Sequence, residues 1–170
     1  MDNRPLASPP DAARSPAPSE RSIIVVEDEA NEVFLLKRAF QQAEVRNPVL
    51  LFRDGQEVID YLSRLSSGGP ADGKRMADAP PALMLLDLKM PRKNGLEVIQ
   101  WLRAQPLLRR LVVVMMSSSG SPADINRAYD LGCNSYLIKP MGFPGLLEMV
   151  KLLDSYWLRT NQRASSVTEG

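Results

Sequence analysis

The chain contains no histidine and one cysteine, Cys133, in 170 residues. Without imidazole there is no Ser-His-Asp or Cys-His pair, no histidine metal ligand and no histidine to act as a phosphoryl donor. A single thiol excludes an internal disulfide and a thiolate zinc cluster, and it fits a reducing compartment. Long hydrophobic runs are missing as well. The longest, Leu111 to Met116, is far shorter than the roughly 18 residues of a membrane span, and no apolar leader follows Met1. These absences predict a cytoplasmic protein without membrane contact. An excess of one charge is also lacking: 21 basic and 20 acidic side chains leave a net charge of +1, which gives no electrostatic footprint for nucleic acid. What is present is ordinary globular composition, 44% hydrophobic and 24% charged, at a length that suits one domain with tails.

Residues 1–21 hold five of the fourteen prolines, with Met1 and Leu6 as their large apolar side chains. They bury too little surface to offset the entropy of ordering and read as a disordered leader. Residues 66–81 are punctuated by Gly and Pro and read as an inserted loop, while 159–170 read as a polar, flexible tail. The domain is expected over 22–158.

Within it, short apolar runs alternate with helical patterns. Ser22 to Val26, Val49 to Phe52, Leu83 to Leu86, Leu111 to Met116 and Tyr136 to Ile138 are continuous, as in strands covered on both faces. Val33, Leu36, Phe40 and Ala43 share one helical face; Val58, Ile59 and Leu62 follow Gly55, and Val98, Trp101 and Leu102 follow Gly95. Ser121-Pro122 with Asp124 reads as a helix start and Gly132 as its stop. Five strands alternating with five helices predict a doubly wound parallel sheet, with its functional crevice at the carboxyl ends of the strands.

The first run ends in Glu27-Asp28-Glu29 and the third in Asp87-Leu88-Lys89-Met90-Pro91. If the two strands are neighbours, Glu27, Asp28 and Asp87 meet at one edge. Like charges about 4 Å apart repel by around 4 kcal/mol at an effective dielectric of 20. Such a cluster therefore calls for a counter-ion, and oxygen ligands alone select a hard cation such as Mg²⁺. Taken singly, Asp28 reads equally well as a helix cap and Asp87 as a strand end. Ser117 follows the fourth run and Lys139-Pro140 the fifth, adding a hydroxyl and a cation able to meet phosphoryl oxygens.

This order of residues resembles the receiver domain of two-component response regulators, from Glu27-Asp28 through Asp87, Met90-Pro91 and Gly95 to Ser117 and Lys139-Pro140. The resemblance implies a flavodoxin-like fold with strand order 2-1-3-4-5. It implies Asp87 as phosphoacceptor and Mg²⁺ held by Asp28, Asp87 and the Lys89 carbonyl, with Glu27 acting through water. Ser117 is then the switch hydroxyl, Tyr136 the aromatic rotamer partner and Lys139 the phosphate-pairing cation. A cis bond before Pro140 is expected, and a sensor histidine kinase is the implied partner. Glutamate at position 27, the long insertion before the third strand and Ser155-Tyr156-Trp157 are similar to the single-domain regulators that serve bacterial phytochrome kinases. On that reading the chain is a phosphoacceptor rather than an enzyme, and with no output domain its signal leaves through the face of the fourth helix, fifth strand and fifth helix.

Other classes fit less well. A haloacid-dehalogenase-type phosphatase needs a second Asp two residues after the first, where this chain has Lys89. A flavodoxin-like flavin binder would share the fold, and fold alone does not carry function. A pseudo-receiver that binds partners without phosphorylation is the nearer rival, although the intact acids and Lys139 argue against it. In the last helix Phe143, Leu146, Leu147, Val150, Leu153 and Trp157 form a core stripe. Met149, Leu152 and Tyr156 lie beside that stripe and predict an exposed patch through which the chain forms a homodimer.

Overall fold

The computed structural model describes residues 21–67 and 80–162. Nearly all of the expected leader, most of the inserted loop and the last eight residues lie outside these. The described chain runs β1 (Ile23–Val26), α1 (Ala30–Gln42), β2 (Val49–Phe52), α2 (Gly55–Ser66), β3 (Leu83–Asp87), α3 (Gly95–Ala104), β4 (Val113–Ser117), α4 (Pro122–Asp130), β5 (Ser135–Ile138) and α5 (Gly142–Leu153). All strand pairs are parallel and the sheet order is β2-β1-β3-β4-β5, as expected.

The period of two along each strand divides the core. Ile24, Val26, Met84, Leu86, Val113 and Met115 face α2 and α3, where Val58, Leu62, Val98, Ile99 and Leu102 cover them. Ile23, Val25, Leu83, Leu85, Val114 and Met116 face α1 and α5, against Leu36, Phe40, Leu146 and Val150. The central strands β1, β3 and β4 are fully buried, whereas β2 and β5 are mostly half-buried, with Ile138 at 57% exposure. The expectation of strands covered on both faces thus holds in the middle of the sheet and weakens at its edges, where a neighbouring strand is missing on one side.

Helix boundaries follow local chemistry. Asp54 caps α2 by accepting from Glu57 N at 2.9 Å, and Asn94 with Glu97 forms a reciprocal capping box on α3. Gly55 and Gly95 begin these helices against backbone: a Cβ on Gly55 would fall on the Lys93 carbonyl, and one on Gly95 on the Asp87 carbonyl. Pro122 occupies the first turn of α4, as expected, but the Ser121 side chain makes no capping bond. The fourth apolar run starts two residues before its strand, because Leu111 N turns back to Leu108 O. Arg103 secures this turn by donating to the carbonyls of Arg109, Leu111 and Gly132. Beyond α5 the helix continues in π-type turns, Asp154–Thr160, two residues past the expected end of the domain. No described helix is long and apolar enough to cross a membrane.

Two expectations are corrected. Met149 is not part of an exposed patch. It is 9% exposed and lies in the core, because it sits three residues after Leu146 and four before Leu153 and shares their helical face. Leu152 and Tyr156 do stay exposed, at 69% and 53%. The peptide bond before Pro140 is trans, like every other among the described residues. Trans is the favoured isomer of an X-Pro bond by about 0.5–1 kcal/mol, and in this backbone Lys139 already reaches the acidic cluster.

Candidate phosphoacceptor site

Strand register assembles the site. Val26 pairs with Leu86, so Glu27 and Asp87 extend neighbouring strands to the same edge; Asp87 pairs with Met116 and Ser117 with Ile138, which brings Lys139 to that edge as well. By alternation Glu27, Asp87 and Lys139 follow residues of the α1/α5 side, while Ser117 and Tyr136 share parity with strand residues of the α2/α3 side.

Carboxylate oxygens of Glu27, Asp28 and Asp87 lie within 4.8 Å of one another. Lys139 Nζ donates to Glu27 Oε2 at 2.6 Å and stands 3.3 Å from Asp87 Oδ1. Glu27 is fully buried and also accepts from Glu29 N at 3.2 Å; Asp87 is nearly buried and accepts from Lys89 N at 3.2 Å. Asp28 does not cap α1: the residue before that helix is Glu29, and it makes no side-chain cap bond.

Burial pushes the Glu27 carboxyl above its ordinary range, and Lys139 offsets this only in part. Burial raises Asp87 in the same way, again against the opposing pull of Lys139. For Lys139 burial favours the neutral amine, but the bond to Glu27 and the charges of Asp87 and Glu27 outweigh it, so its pKa is raised. One ammonium thus meets two of the three clustered carboxylates. The donor set is all oxygen, without nitrogen or sulfur, and it suits a hard divalent cation. Asp28, Lys89, Met90 and Asp124 line an open depression beside the cluster, where such an ion and a phosphoryl group would have access.

Ser117 is buried at the end of β4, and its Oγ accepts from Ser119 N at 3.1 Å. The Tyr136 hydroxyl donates to Ser119 O at 2.9 Å. Every residue expected at the site by its side chain is therefore at or beside this edge, with Lys89 placed on its rim. The clamp of Arg92 on Asp54 has no counterpart among the sequence motifs. Arg92 Nε donates to Asp54 Oδ2 at 2.8 Å and Arg92 Nη2 bonds the same oxygen, tying the β3–α3 loop to the start of α2. No local pattern marks that pair. The one signal was Gly55 after Asp54, which reads simply as a helix start.

The sequence pattern of the response regulator receiver domain matches residues 23–151. Probable methanogenesis regulatory protein FilR2 of Methanothrix harundinacea is 37% identical over 140 residues, 82% of this chain and 85% of that protein. Response regulator Rcp1 of Synechocystis sp. is 30% identical over 138 residues, 81% of this chain and 89% of its own. The crystal structure of the Mn²⁺-bound form of Rcp1 superposes with a TM-score of 0.71 at 28% identity, covering 85% of this chain and 99% of that one. The phosphorylated cyanobacterial phytochrome response regulator RcpA superposes with a TM-score of 0.74 at 33% identity, covering 86% and 99%. With its five-stranded order, its strand-end acids and this match across most of its length, the chain belongs to the response regulator receiver domain family.

Proposed function

We propose that this chain accepts a phosphoryl group on Asp87 from the phosphohistidine of a sensor histidine kinase and passes the signal on through its α4–β5–α5 face. The observation that carries the reading is the position of Lys139, whose ammonium bridges Glu27 and Asp87 at one sheet edge. An Asp87 oxygen attacks phosphorus, and the P–N bond to the donor breaks with its electron pair left on the imidazole nitrogen. Lys139 then pairs with the phosphoryl oxygens, and the Ser117 hydroxyl, whose oxygen already accepts from Ser119, donates its proton to one of them.

Asp28, Asp87 and the Lys89 carbonyl would hold Mg²⁺, with Glu27 acting through water. When bound, the ion supplies positive charge against the transferring oxygens. Asp87 and Lys139 supply nucleophile and charge, so the chain assists its own modification without turning over a separate substrate.

A phytochrome-type kinase is the partner we infer, because RcpA carries that association in its name and shares 33% of aligned residues with this chain. A homodimer through the exposed Leu152 and Tyr156 completes the reading. Incubation with acetyl phosphate and Mg²⁺ followed by intact mass tests the central step. The phosphoryl increment is expected on wild type and absent from Asp87→Asn. A wild type that stays unlabelled would instead favour a pseudo-receiver that acts by binding alone.

A further inference from the structure

Ser119 uses each of its polar groups on a different part of the site. Its N–H donates to the Ser117 hydroxyl oxygen at 3.1 Å, and its carbonyl accepts the Tyr136 hydroxyl at 2.9 Å. Its own hydroxyl donates to Asp124 Oδ2 at 2.6 Å and accepts from Ser121 N at 3.3 Å. One residue therefore holds both groups expected to respond to a phosphoryl group, and what holds that residue is a carboxylate in the first turn of α4. Asp124 belongs to that turn but reaches back across the β4–α4 connection instead of capping its own helix, and the Ser121 side chain makes no capping bond in its place. Gly120 lies between and offers no side chain to stiffen the connection, while Ser118 and Ser121 on either side are exposed. The Ser119–Asp124 bond joins a neutral donor to a charged acceptor, which makes it the strongest type of bond in this segment.

We propose that Asp124 is a positioning residue for phosphoryl transfer: it fixes Ser119, and through Ser119 it orients the Ser117 hydroxyl and holds the Tyr136 ring inward. This rests on Asp87 being the phosphoacceptor. Without Asp124 the connection from Ser118 to Ser121 loses its anchor to α4. Ser117 then rotates among its staggered positions, and Tyr136 loses a fixed carbonyl. A hydroxyl that must be reoriented at each encounter slows the transfer, although Asp87, Lys139 and the three-carboxylate cluster are untouched.

The test compares Asp124→Ala, Ser119→Ala and Asp124→Asn with wild type. Asn keeps an oxygen that can accept the Ser119 hydroxyl. The first readout is the initial rate of Asp87 labelling by acetyl phosphate at saturating Mg²⁺. The second is the ¹⁹F resonance of 3-fluorotyrosine at Tyr136, assigned with Tyr136→Phe and recorded without any phosphoryl donor. Both alanine variants are expected to label about five-fold more slowly, as for the loss of one hydrogen bond, and to shift and broaden the Tyr136 resonance. Asp124→Asn should restore most of the rate and the wild-type resonance. Ser119→Ala removes the same bond from the other side, so poor folding of one alanine variant leaves the second to decide. Alanine variants with wild-type rate and an unmoved resonance overturn the proposal, as does an asparagine variant no better than alanine. Failure of the phosphoacceptor reading is separable, since it would show as an unlabelled wild type while the Tyr136 resonance still reports on the Asp124 anchor.

Discussion

Lys139 stands closer to Glu27 than to Asp87, at 2.6 Å against 3.3 Å, and Glu27 is the more deeply buried of the two acids. The cation is thus held chiefly by the acid that is not expected to be phosphorylated, and it is positioned to turn toward Asp87 when charge accumulates there. Replacing Lys139 with Met removes the cation that competes for the carboxylates. We expect Mg²⁺ to bind several-fold more tightly to Lys139→Met while labelling by acetyl phosphate slows by at least about 100-fold, the scale of losing a preorganised charge at a transition state. Calorimetric titration and intact mass measure the two effects separately.

Asp28 is the cluster's partly exposed acid and makes no capping bond, so its loss should be felt by the metal before the fold. A hard cation with few protein ligands keeps several waters and binds weakly. Asp28→Ala is expected to raise the Mg²⁺ dissociation constant by about ten-fold or more with an unchanged urea midpoint. Equal affinity in variant and wild type would remove Asp28 from the ligand set.

Asp54 links the start of α2 to Arg92, and its carboxyl lies below the usual range. Burial alone would raise it, but the bonds from Arg92 and from Glu57 N more than offset that. A carboxyl depressed in the folded state stabilises fully above its unfolded value of 3.8, and the contribution is lost as pH falls through the lower folded value. Asp54→Ala should cost about 1 kcal/mol or more at neutral pH through the lost cap. The gap to wild type should narrow below pH 3.8. Asp54→Asn keeps the capping oxygen and should cost less. Urea midpoints measured across pH check both.

Arg103 gathers three carbonyls from the turn before β4 and from the α4–β5 connection, and also meets Asn134 Oδ1 at 3.2 Å. Arg103→Met leaves those carbonyls without their donor, and we expect a loss of about 2–3 kcal/mol in chemical denaturation. Gly132, at φ +95°, sits against this guanidinium, and a Cβ there would lie 3.1 Å from Arg103 Nε. Gly132→Ala should therefore cost about 1–2 kcal/mol through its left-handed backbone. The folded Arg103→Met protein should still accept phosphate, since the site acids lie at the opposite ends of the strands.

Leu152 and Met149 are three residues apart on α5 and should behave oppositely. Met149→Ala is expected to destabilise by about 2–5 kcal/mol as a core truncation. Leu152→Asp should leave a folded protein that runs as a monomer in light scattering. Wild type that is monomeric at tens of micromolar, with and without phosphorylation, would remove the proposed dimer.

The sequence by itself determined the layers and which acids meet at the sheet edge. Runs such as Ile23–Val26 and Leu83–Leu86 are apolar without interruption because both faces of a central strand are covered, and the acids that follow them have nowhere to go but the carboxyl edge. Five strands, the doubly wound sheet and the meeting of Glu27, Asp28 and Asp87 were legible from these local patterns. Tertiary structure decided what depends on contacts between distant residues or on the precise rotation of an element. Glu27 and Lys139 are 112 positions apart, and Asp54 and Arg92 are 38, so neither pair has a spacing to read. Met149 and Leu152 look alike in a stripe of apolar residues, and the packing of α5 against the sheet and α1 buries one and exposes the other. In the Ser117-Ser118-Ser119 run, each hydroxyl has the same chemistry. What distinguishes them is backbone direction at the end of β4, which buries Ser117 beside the cluster, exposes Ser118 and aims Ser119 at Asp124.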